Sequence, residues 1–172
     1  SDFSLRHADR AQLLGAKLVR GGKDHRYETV AAALKEAPDD ATHIAVHDAA
    51  RPIAPPALVE RVVRAARTHH AVLPAVEVSD TVKRLGDEPV APAQDADPLA
   101  AILGADTASD DLFEVEQTIP RDRLVLVQTP QLFEKSLLVR AYAQDDLAST
   151  DDAGLIERLS EPVVVVKGDP QH

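Results

Sequence analysis

The chain has 172 residues, of which 44% are apolar and 28% are charged, values that fit one globular domain with a core of its own. Acidic residues outnumber basic ones by 29 to 19, the net charge is −10 and aromatic residues make up only 3%, so binding of nucleic acids or anionic membranes is not expected. The absence of cysteine excludes disulfides and thiolate metal sites and favours a reducing cytoplasm as the location.

Short apolar runs alternate with stretches of helical spacing along most of the chain. We predict helices over residues 4–14, 29–37, 55–68, 134–144 and 151–159, and strands over residues 16–20, 43–47, 71–78 (interrupted by Pro74), 124–127 and 163–166. The valine-rich last strand is expected to be buried. Because strands alternate with helices, the predicted fold class is α/β, with a largely parallel sheet.

Residues 85–119 break this alternation, because aspartate, alanine and proline dominate there and little periodicity remains. An exposed loop is predicted over residues 89–98 and a single helical turn over residues 99–103. Since a structureless stretch of this length is uncommon inside a compact domain, we interpret the segment as a protruding arm or hairpin rather than as part of the core.

Polar residues just beyond the predicted strands are the first candidates for function, because ligands of open α/β sheets bind beyond the carboxyl ends of the strands. Gly21 and Gly22 follow the first predicted strand, and a helix follows at Thr29. Glycines let the backbone approach a ligand closely, and a helix N-terminus favours an anion. The same pattern is typical of a tight turn with Thr29 as the N-cap, so both interpretations stay open.

A second candidate group follows the strand predicted over residues 43–47. Asp48 emerges from that strand, and Arg51 follows three residues later. A carboxylate can hold Mg²⁺ together with substrate phosphates, and an arginine can bind a phosphate through two N–H groups. The small Ala49 and Ala50 leave room for a ligand. The alternative is an Asp–Arg ion pair that closes a loop.

Two more groups lie beyond strands. Residues 79–84 present Thr81, an acid and the cations Lys83 and Arg84, either as ligand-binding groups or as a solvated strand end. Arg121 and Thr129 flank the strand predicted over residues 124–127, and they could meet at one ligand if the chain folds back. Otherwise, this region is a capped turn before a helix.

Two further patterns favour structural interpretations. The run TDDA at residues 150–153 makes a good helix start, with Thr150 as the N-cap and acids in the first turn. Among the histidines, His69 and His70 are adjacent, while His43 and His47 face the same way on a strand but have no evident third ligand. We therefore predict no zinc site.

Taken together, these motifs resemble the 2-C-methyl-D-erythritol 4-phosphate cytidylyltransferase family of the non-mevalonate isoprenoid pathway. The shared motifs include GG at 21–22, HDAARP at 47–52, SDTVKR at 79–84, QTPQLF at 128–133 and TDDA at 150–153. The resemblance implies a Rossmann-like nucleotidyltransferase fold and a homodimer in which an arm, here residues 80–121, embraces the partner subunit. It also implies transfer of CMP from CTP to methylerythritol phosphate, with Mg²⁺ and with release of pyrophosphate.

The resemblance also implies roles for individual residues. The positions that match the CTP site are Gly21, Gly22, Arg26, Thr29, Asp48 and Ala49. The positions that match the methylerythritol phosphate site are Arg51, Thr81, Lys83, Arg121 and Thr129. Asp48 would also lie near the metal ion, and Arg121 would aim the attacking phosphate. Catalytic roles thus fall to Asp48, Thr81 and Arg121, the last two acting on the neighbouring subunit's substrate.

The family also carries a Gly-rich loop with Arg and Lys before the matching region and an Asn-x-Lys-x-Thr segment after it. Neither segment lies in this chain, so we expect the chain to be part of a longer protein. Within it, residues 1–172 are expected to form a single nucleotidyltransferase domain that includes the arm. Two rival interpretations stay open: an enzyme that transfers CMP to ribitol 5-phosphate, and a nucleotide-binding module without catalysis.

Overall fold

The computed structural model describes residues 10–90 and 112–172. The chain divides into two compact units, one formed by the residues up to Val76 together with Val127–His172, the other by those from Glu77 to Leu126. The helices and strands, in chain order, are α1 (Arg26–Leu34), β1 (His43–Val46), α2 (Pro56–Ala65), β2 (Ala71–Glu77), β3 (Val82–Pro89), β4 (Phe113–Ile119), β5 (Val125–Val127), β6 (Gln131–Glu134), α3 (Lys135–Tyr142), α4 (Asp152–Arg158) and β7 (Val164–Lys167).

The central sheet has five strands in the order β1-β6-β2-β5, and β7 also pairs with β2. Strand β6 is antiparallel to both β1 and β2, whereas β7 is parallel to β2. Strands β1, β2 and β7 therefore run in the same direction, and only β6 is shown to run against them. The α/β class is confirmed, with a mixed sheet in which the carboxyl ends of β1, β2 and β7 point the same way.

Helices cover both faces of this sheet. Phe133 of β6 packs with Leu138 of α3 and Ile156 of α4 in one buried cluster. The neighbouring Leu132 points to the opposite face, where it packs with Val62 of α2 in a second cluster. Because successive side chains of a strand point to opposite faces, a strand as short as β6 contributes to both cores.

The second unit contains an antiparallel pair of strands, β3 and β4, with Val82 opposite Ile119 and Lys83 opposite Thr118. The register shifts after Arg84, and such a bulge breaks the alternation that would mark a strand in the sequence. This accounts for the weak pattern in the described parts of the segment, residues 85–90 and 112–119. Of the loop predicted over residues 89–98, Pro89 is the last residue of β3 and residues 91–98 lie outside the described residues, as does the helical turn predicted over residues 99–103. That residues 80–121 form a dimerisation arm of a single domain stays a prediction.

Most predicted elements are present, with shifted ends. Residues 16–20 are exposed and form no strand, and α1 begins three residues before the predicted start. Pro74 does not interrupt β2, because its carbonyl oxygen accepts a hydrogen bond from Gln128 at 2.8 Å while β7 pairs along the other edge. Strand β7 is half-exposed instead of buried, with Val165 51% accessible. Of the helix predicted over residues 4–14, only residues 10–13 are described as helical.

Candidate functional site

Three segments meet at the edge of the sheet where β1 and β7 end and β6 begins. They are the loop after β1, the residues that precede β6 and the residues that follow β7. The Asp48 backbone N–H donates a hydrogen bond to Thr129 Oγ1 at 3.2 Å, and Gln128 Nε2 donates to the carbonyl oxygen of His172 at 2.9 Å. Because β6 runs against its neighbours, its first residues reach the carboxyl ends of β1 and β7.

Asp48 is held in place through its backbone. Thr129 Oγ1 lies 2.9 Å from His47 Nδ1, and His47 Nε2 lies 2.7 Å from the carbonyl oxygen of Arg51. A neutral His47 that carries its hydrogen on Nε2 satisfies both contacts, with the Thr129 hydroxyl as the donor to Nδ1. The Asp48 side chain remains 43% exposed. The result is a carboxylate that stands in solvent on a fixed backbone.

Arg51 lies at the same edge and is joined to the segment after β7. Its Nη1 donates a hydrogen bond to the carbonyl oxygen of His172 at 2.7 Å. The Arg51 backbone N–H donates to the carbonyl oxygen of Asp48 at 3.0 Å, which closes a tight turn across Ala49 and Ala50. The Asp48–Arg51 side-chain ion pair considered from the sequence is not among the ion pairs of the described residues.

The glycine loop folds back onto α1. Gly22 donates its backbone N–H to Thr29 Oγ1 at 3.1 Å, and Lys23 donates to Glu28 Oε2 at 3.0 Å. A Cβ atom on Gly21 would lie 2.7 Å from Thr29 Oγ1, and one on Gly22 would overlap the Glu28 side chain, so this approach requires glycine at both positions. The expected N-cap role of Thr29 is wrong, since α1 begins at Arg26 and Thr29 bonds the loop from within the helix.

Arg26 joins this loop to two carboxylates. Its Nη2 lies 2.7 Å from Asp152 Oδ2 and 3.8 Å from Asp48 Oδ1. The Asp152 side chain is fully buried, and the Tyr142 hydroxyl donates a hydrogen bond to its other oxygen. Burial alone would lower the pKa of Arg26, but the hydrogen bond and the charge of Asp152, together with the charge of Asp48, outweigh it and raise the pKa.

Tyr142 is the third group on this buried carboxylate. Burial raises its pKa well above the usual value for tyrosine, and the hydrogen bond to Asp152 and the charge of that group raise it further, against a smaller opposing effect of Arg26. Asp152 therefore accepts from a neutral phenol on one oxygen and pairs with a guanidinium on the other, which compensates its removal from water.

The start of α4 differs from the prediction. The N-cap is Asp151 and not Thr150, because Asp151 Oδ1 accepts from the backbone N–H of Gly154 at 3.0 Å. Asp152, the next residue, turns inward to Arg26. Two consecutive acids at a helix start were the available signal, since one can cap the helix while the other points elsewhere.

The remaining predicted residues belong to the second unit. Thr81 precedes β3 and Arg121 follows β4, so the pairing of Val82 with Ile119 brings both to the same end of the strand pair. Arg121 Nη1 donates to the carbonyl oxygen of Ser79, and Lys83 Nζ donates to Thr118 Oγ1 at 2.6 Å. Thr81 and Arg121 therefore lie at the same end of the β3–β4 pair.

Gln128, Asp169 and His172 lie at this sheet edge but were not predicted from the sequence as site residues. Gln128 bonds both the N–H and the carbonyl oxygen of Asp169, at 3.0 and 2.7 Å. The ring of His172 stacks on His47 with centroids 5.8 Å apart, and its Nε2 lies 2.6 Å from the carbonyl oxygen of Thr129. These contacts join chain segments far apart in sequence, so no local pattern could indicate them.

The fit of Mg²⁺ can be judged from Asp48 and its surroundings. In the part of the chain that the structure describes, no group of three or more His, Asp or Glu side chains is placed to hold a metal ion. Mg²⁺ commonly takes one or two carboxylates and fills its remaining positions with waters and substrate phosphates. The exposed Asp48 carboxylate fits that pattern as a single protein ligand.

A cleft of about 760 Å³ opens elsewhere on the first unit. It lies where β1 begins and β6 ends, the edge opposite to the site, and its lining includes His43, His70, Glu134 and Lys135. None of the predicted site residues lines it. The size of a cleft alone therefore does not locate the polar groups that converge near Asp48.

Comparisons with known proteins agree with the motifs. The sequence model of the 2-C-methyl-D-erythritol 4-phosphate cytidylyltransferase family matches residues 5–108 and 100–172. A relative of that name from Frankia casuarinae is 42% identical over 160 residues, which cover 92% of this chain and 51% of the relative. Another from Rhodococcus jostii is 40% identical over 167 residues, covering 96% of this chain and 63% of the relative.

Solved structures give the same result. The crystal structure of 2-C-methyl-D-erythritol 4-phosphate cytidylyltransferase from Thermus thermophilus matches with a TM-score of 0.65 and 31% identity, covering 91% of this chain and 69% of that one. The chain spans between about half and two thirds of the length of the two curated relatives. On these matches, the chain belongs to the 2-C-methyl-D-erythritol 4-phosphate cytidylyltransferase family.

Proposed function

We propose that the protein to which this chain belongs transfers CMP from CTP to 2-C-methyl-D-erythritol 4-phosphate and releases pyrophosphate, in the formation of isoprenoid precursors. Family membership supports this activity. The observation that carries the proposal is the meeting of Asp48, Arg26 and Thr129 at one sheet edge, since these residues lie far apart in sequence and the reaction needs them together.

The nucleotide is proposed to bind along the glycine loop and the loop after β1. Gly21 and Gly22 bring the backbone close to Thr29 of α1. The cytosine end of CTP is assigned to this loop. Asp48 and Ala49 lie on the turn at the carboxyl end of β1, the position where open α/β sheets bind phosphate-bearing ligands. The ribose and the phosphates of CTP are assigned to this turn.

The acceptor is proposed to bind through cations and hydroxyl groups. In the reaction, an oxygen of the methylerythritol phosphate attacks the α-phosphorus of CTP and the bond to pyrophosphate breaks. Both reactants are anions, so the barrier is mainly one of charge and alignment. We assign binding of the acceptor phosphate to Arg51, Thr129, Thr81 and Lys83, and its alignment for attack to Arg121.

The arm assignment implies a second subunit. We propose a homodimer in which Thr81 and Arg121, at one end of the β3–β4 pair, serve the site of the partner subunit. Exposed apolar side chains on this pair, among them Leu85, Phe113 and Val115, support an interface there. The cytoplasmic location stays a prediction from composition, and the structure adds only that none of the described helices has the length and apolar character to cross a membrane.

We also propose Mg²⁺ as the metal ion, with Asp48 as its ligand from this chain. When bound, the ion would neutralise charge on the CTP phosphates. Asp48 would hold it from a backbone that Thr129 fixes, and Arg26 would stay beside Asp48 without occupying its second oxygen. The carboxylate would thus keep an oxygen free for the ion.

The test is an assay of pyrophosphate release by the purified protein that contains this chain. CTP is supplied with either methylerythritol phosphate or ribitol 5-phosphate. We expect turnover with the first acceptor, and a loss of at least about a hundredfold in the Asp48→Asn variant, a typical effect for a group that organises transition-state charge. Preference for ribitol 5-phosphate, which the names of the matched relatives do not favour, would overturn the choice of acceptor.

A further inference from the structure

We propose that Asp152 is a positioning residue: its buried carboxylate holds the Arg26 guanidinium away from Asp48 and thereby keeps the Asp48 carboxylate available for a divalent cation. The assignment of the cation to Asp48 rests on the proposed function. The control of Arg26 by Asp152 does not, because it follows from the contacts of this chain alone.

The distances around Arg26 show which carboxylate it binds. Arg26 lies between two carboxylates and contacts them unequally, with Nη2 at 2.7 Å from Asp152 Oδ2 and at 3.8 Å from Asp48 Oδ1. Only the shorter distance is a hydrogen bond. Arg26 is therefore engaged by Asp152 and merely adjacent to Asp48.

The burial of Asp152 explains why Arg26 pairs with this carboxylate and not with Asp48. The Asp152 side chain is fully buried, whereas that of Asp48 is 43% exposed. A buried carboxylate that loses its cation is left without compensation for the water it has given up, while an exposed carboxylate remains hydrated. The pairing with Asp152 is therefore the one that the fold favours, although both carboxylates carry the same charge.

Asp152 cannot follow Arg26 towards Asp48. The Tyr142 hydroxyl donates to Asp152 Oδ1, and the preceding residue, Asp151, caps α4 and accepts from Gln131 Nε2 at 3.0 Å. Leu155 and Ile156 anchor the same helix in the core. Asp152 is thus fixed from several sides, and the long side chain of Arg26 is the part of the pair that can move.

Without the charge of Asp152, the guanidinium has one carboxylate left within reach. In an Asp152→Asn variant, we expect Arg26 to move to Asp48 and form a direct ion pair. A carboxylate engaged by an arginine offers fewer oxygens to a cation and attracts it less strongly. Binding of Mn²⁺, used as a probe in place of Mg²⁺, should then weaken by about fivefold, the scale of an exposed ion pair.

The experiment measures Mn²⁺ binding to the protein without nucleotide, by electron paramagnetic resonance of the free ion, together with a crystal structure of Asp152→Asn. A double variant, Arg26→Gln with Asp152→Asn, should recover the affinity, because no arginine remains to occupy Asp48. Glu161→Gln is the matched control, since it makes the same change beside Arg140, with which Glu161 pairs at 2.9 Å, and it should leave Mn²⁺ binding unchanged.

The outcomes separate the two proposals. An Arg26 that stays beside residue 152 in the variant structure, or a double variant that binds Mn²⁺ as poorly as the single one, overturns the positioning role. Movement of Arg26 without any CMP transfer by the parent protein supports the positioning role and overturns the proposed function. If Asp152→Asn does not fold, Mn²⁺ binding is measured with the Arg26→Gln variant instead. This variant should bind Mn²⁺ at least as tightly as the parent protein. Weaker binding would contradict the proposal.

Discussion

Thr129 and Asp48 lie 81 positions apart, yet the Thr129 hydroxyl accepts a hydrogen bond from the Asp48 backbone N–H at 3.2 Å. Thr129 is buried and also contacts His47, so a single hydroxyl connects the start of β6 with the end of β1. This contact fixes the backbone of the residue to which we assign the metal ion.

Replacement of Thr129 by valine keeps the shape of the side chain but removes this hydroxyl. We expect the free energy of unfolding to fall by about 1–3 kcal/mol, because the Asp48 N–H and His47 Nδ1 lose their partner. Urea denaturation followed by circular dichroism measures the change. Thr68→Val is the control, since the Thr68 hydroxyl is exposed and donates only to a nearby carbonyl oxygen. This variant should lower the free energy of unfolding by less than about 0.5 kcal/mol. An equal loss of stability in both variants would contradict the role of Thr129.

Tyr142 should remain protonated well above pH ~10, where tyrosine ordinarily ionises. Burial and the neighbouring Asp152 raise its pKa, and the chain has only one other tyrosine, Tyr27. The difference in tyrosinate absorbance between the protein and its Tyr142→Phe variant therefore reports Tyr142 alone. We expect this difference to be absent until the protein unfolds in alkali.

Because folding raises the pKa of Tyr142, the stability of the protein should fall as the solution becomes alkaline. Neutral Tyr142 contributes stability that is fully present below the unfolded-state pKa of about 10 and is lost as the pH rises through the folded-state value. Unfolding monitored by circular dichroism should therefore coincide with the tyrosinate signal. A tyrosinate step near pH ~10 in a protein that is still folded would show that Asp152 and burial do not protect the phenol.

Gly168 should not tolerate a side chain. A Cβ atom there would lie 2.8 Å from the carbonyl oxygen of Ala75 and would overlap the Gln128 side chain. We expect Gly168→Ala to lower the free energy of unfolding by about 1–3 kcal/mol, the usual cost of an overpacked site. Gly86→Ala is the control, because its Cβ would meet only one atom, at 3.7 Å. Thermal unfolding compares the two, and a Gly168→Ala variant as stable as the parent would contradict the close approach.

Arg121→Ala should reduce turnover without a matching loss of CTP binding. If Arg121 aims the attacking phosphate, its removal raises the barrier by about 2–4 kcal/mol. Steady-state kinetics with both substrates varied separates the effect on turnover from that on the CTP KM. Arg123→Ala removes a cation two residues away to which we assign no role, and it should leave turnover unchanged. An unaltered rate for Arg121→Ala would exclude the proposed role.

Much of the fold could be predicted from local patterns. Leu58 and Val62 of α2 are four residues apart and both buried, and Pro56 occupies the first helical position, where no N–H is needed. The apolar run that forms β1 and the polar Asp48 just beyond it likewise indicated a strand and a candidate site. Each of these signals depends on neighbours within one or two turns, which a sequence displays directly.

Strand β6 and the partners of Thr29 were missed for a different reason. The residues Gln131–Glu134 begin and end with polar side chains and follow a proline, so no strand was predicted there, whereas pairing with both β1 and β2 makes them a strand. Thr29 has the chemistry of an N-cap, but the loop that returns to α1 gives its hydroxyl another partner. Tertiary contacts override local propensity in both cases.

The amino-acid sequence by itself determined the α/β class, the family and the residue types that two phosphate-bearing substrates require, because alternation, motif order and side-chain chemistry are local properties. Only the tertiary structure decided which acid remains in solvent and which is buried. Asp48 and Asp152 are the same residue type, yet one stands exposed beyond a strand while the other pairs with Arg26 inside the protein. Their difference arises from burial and from contacts between segments distant in sequence, and these exist only once the chain has folded.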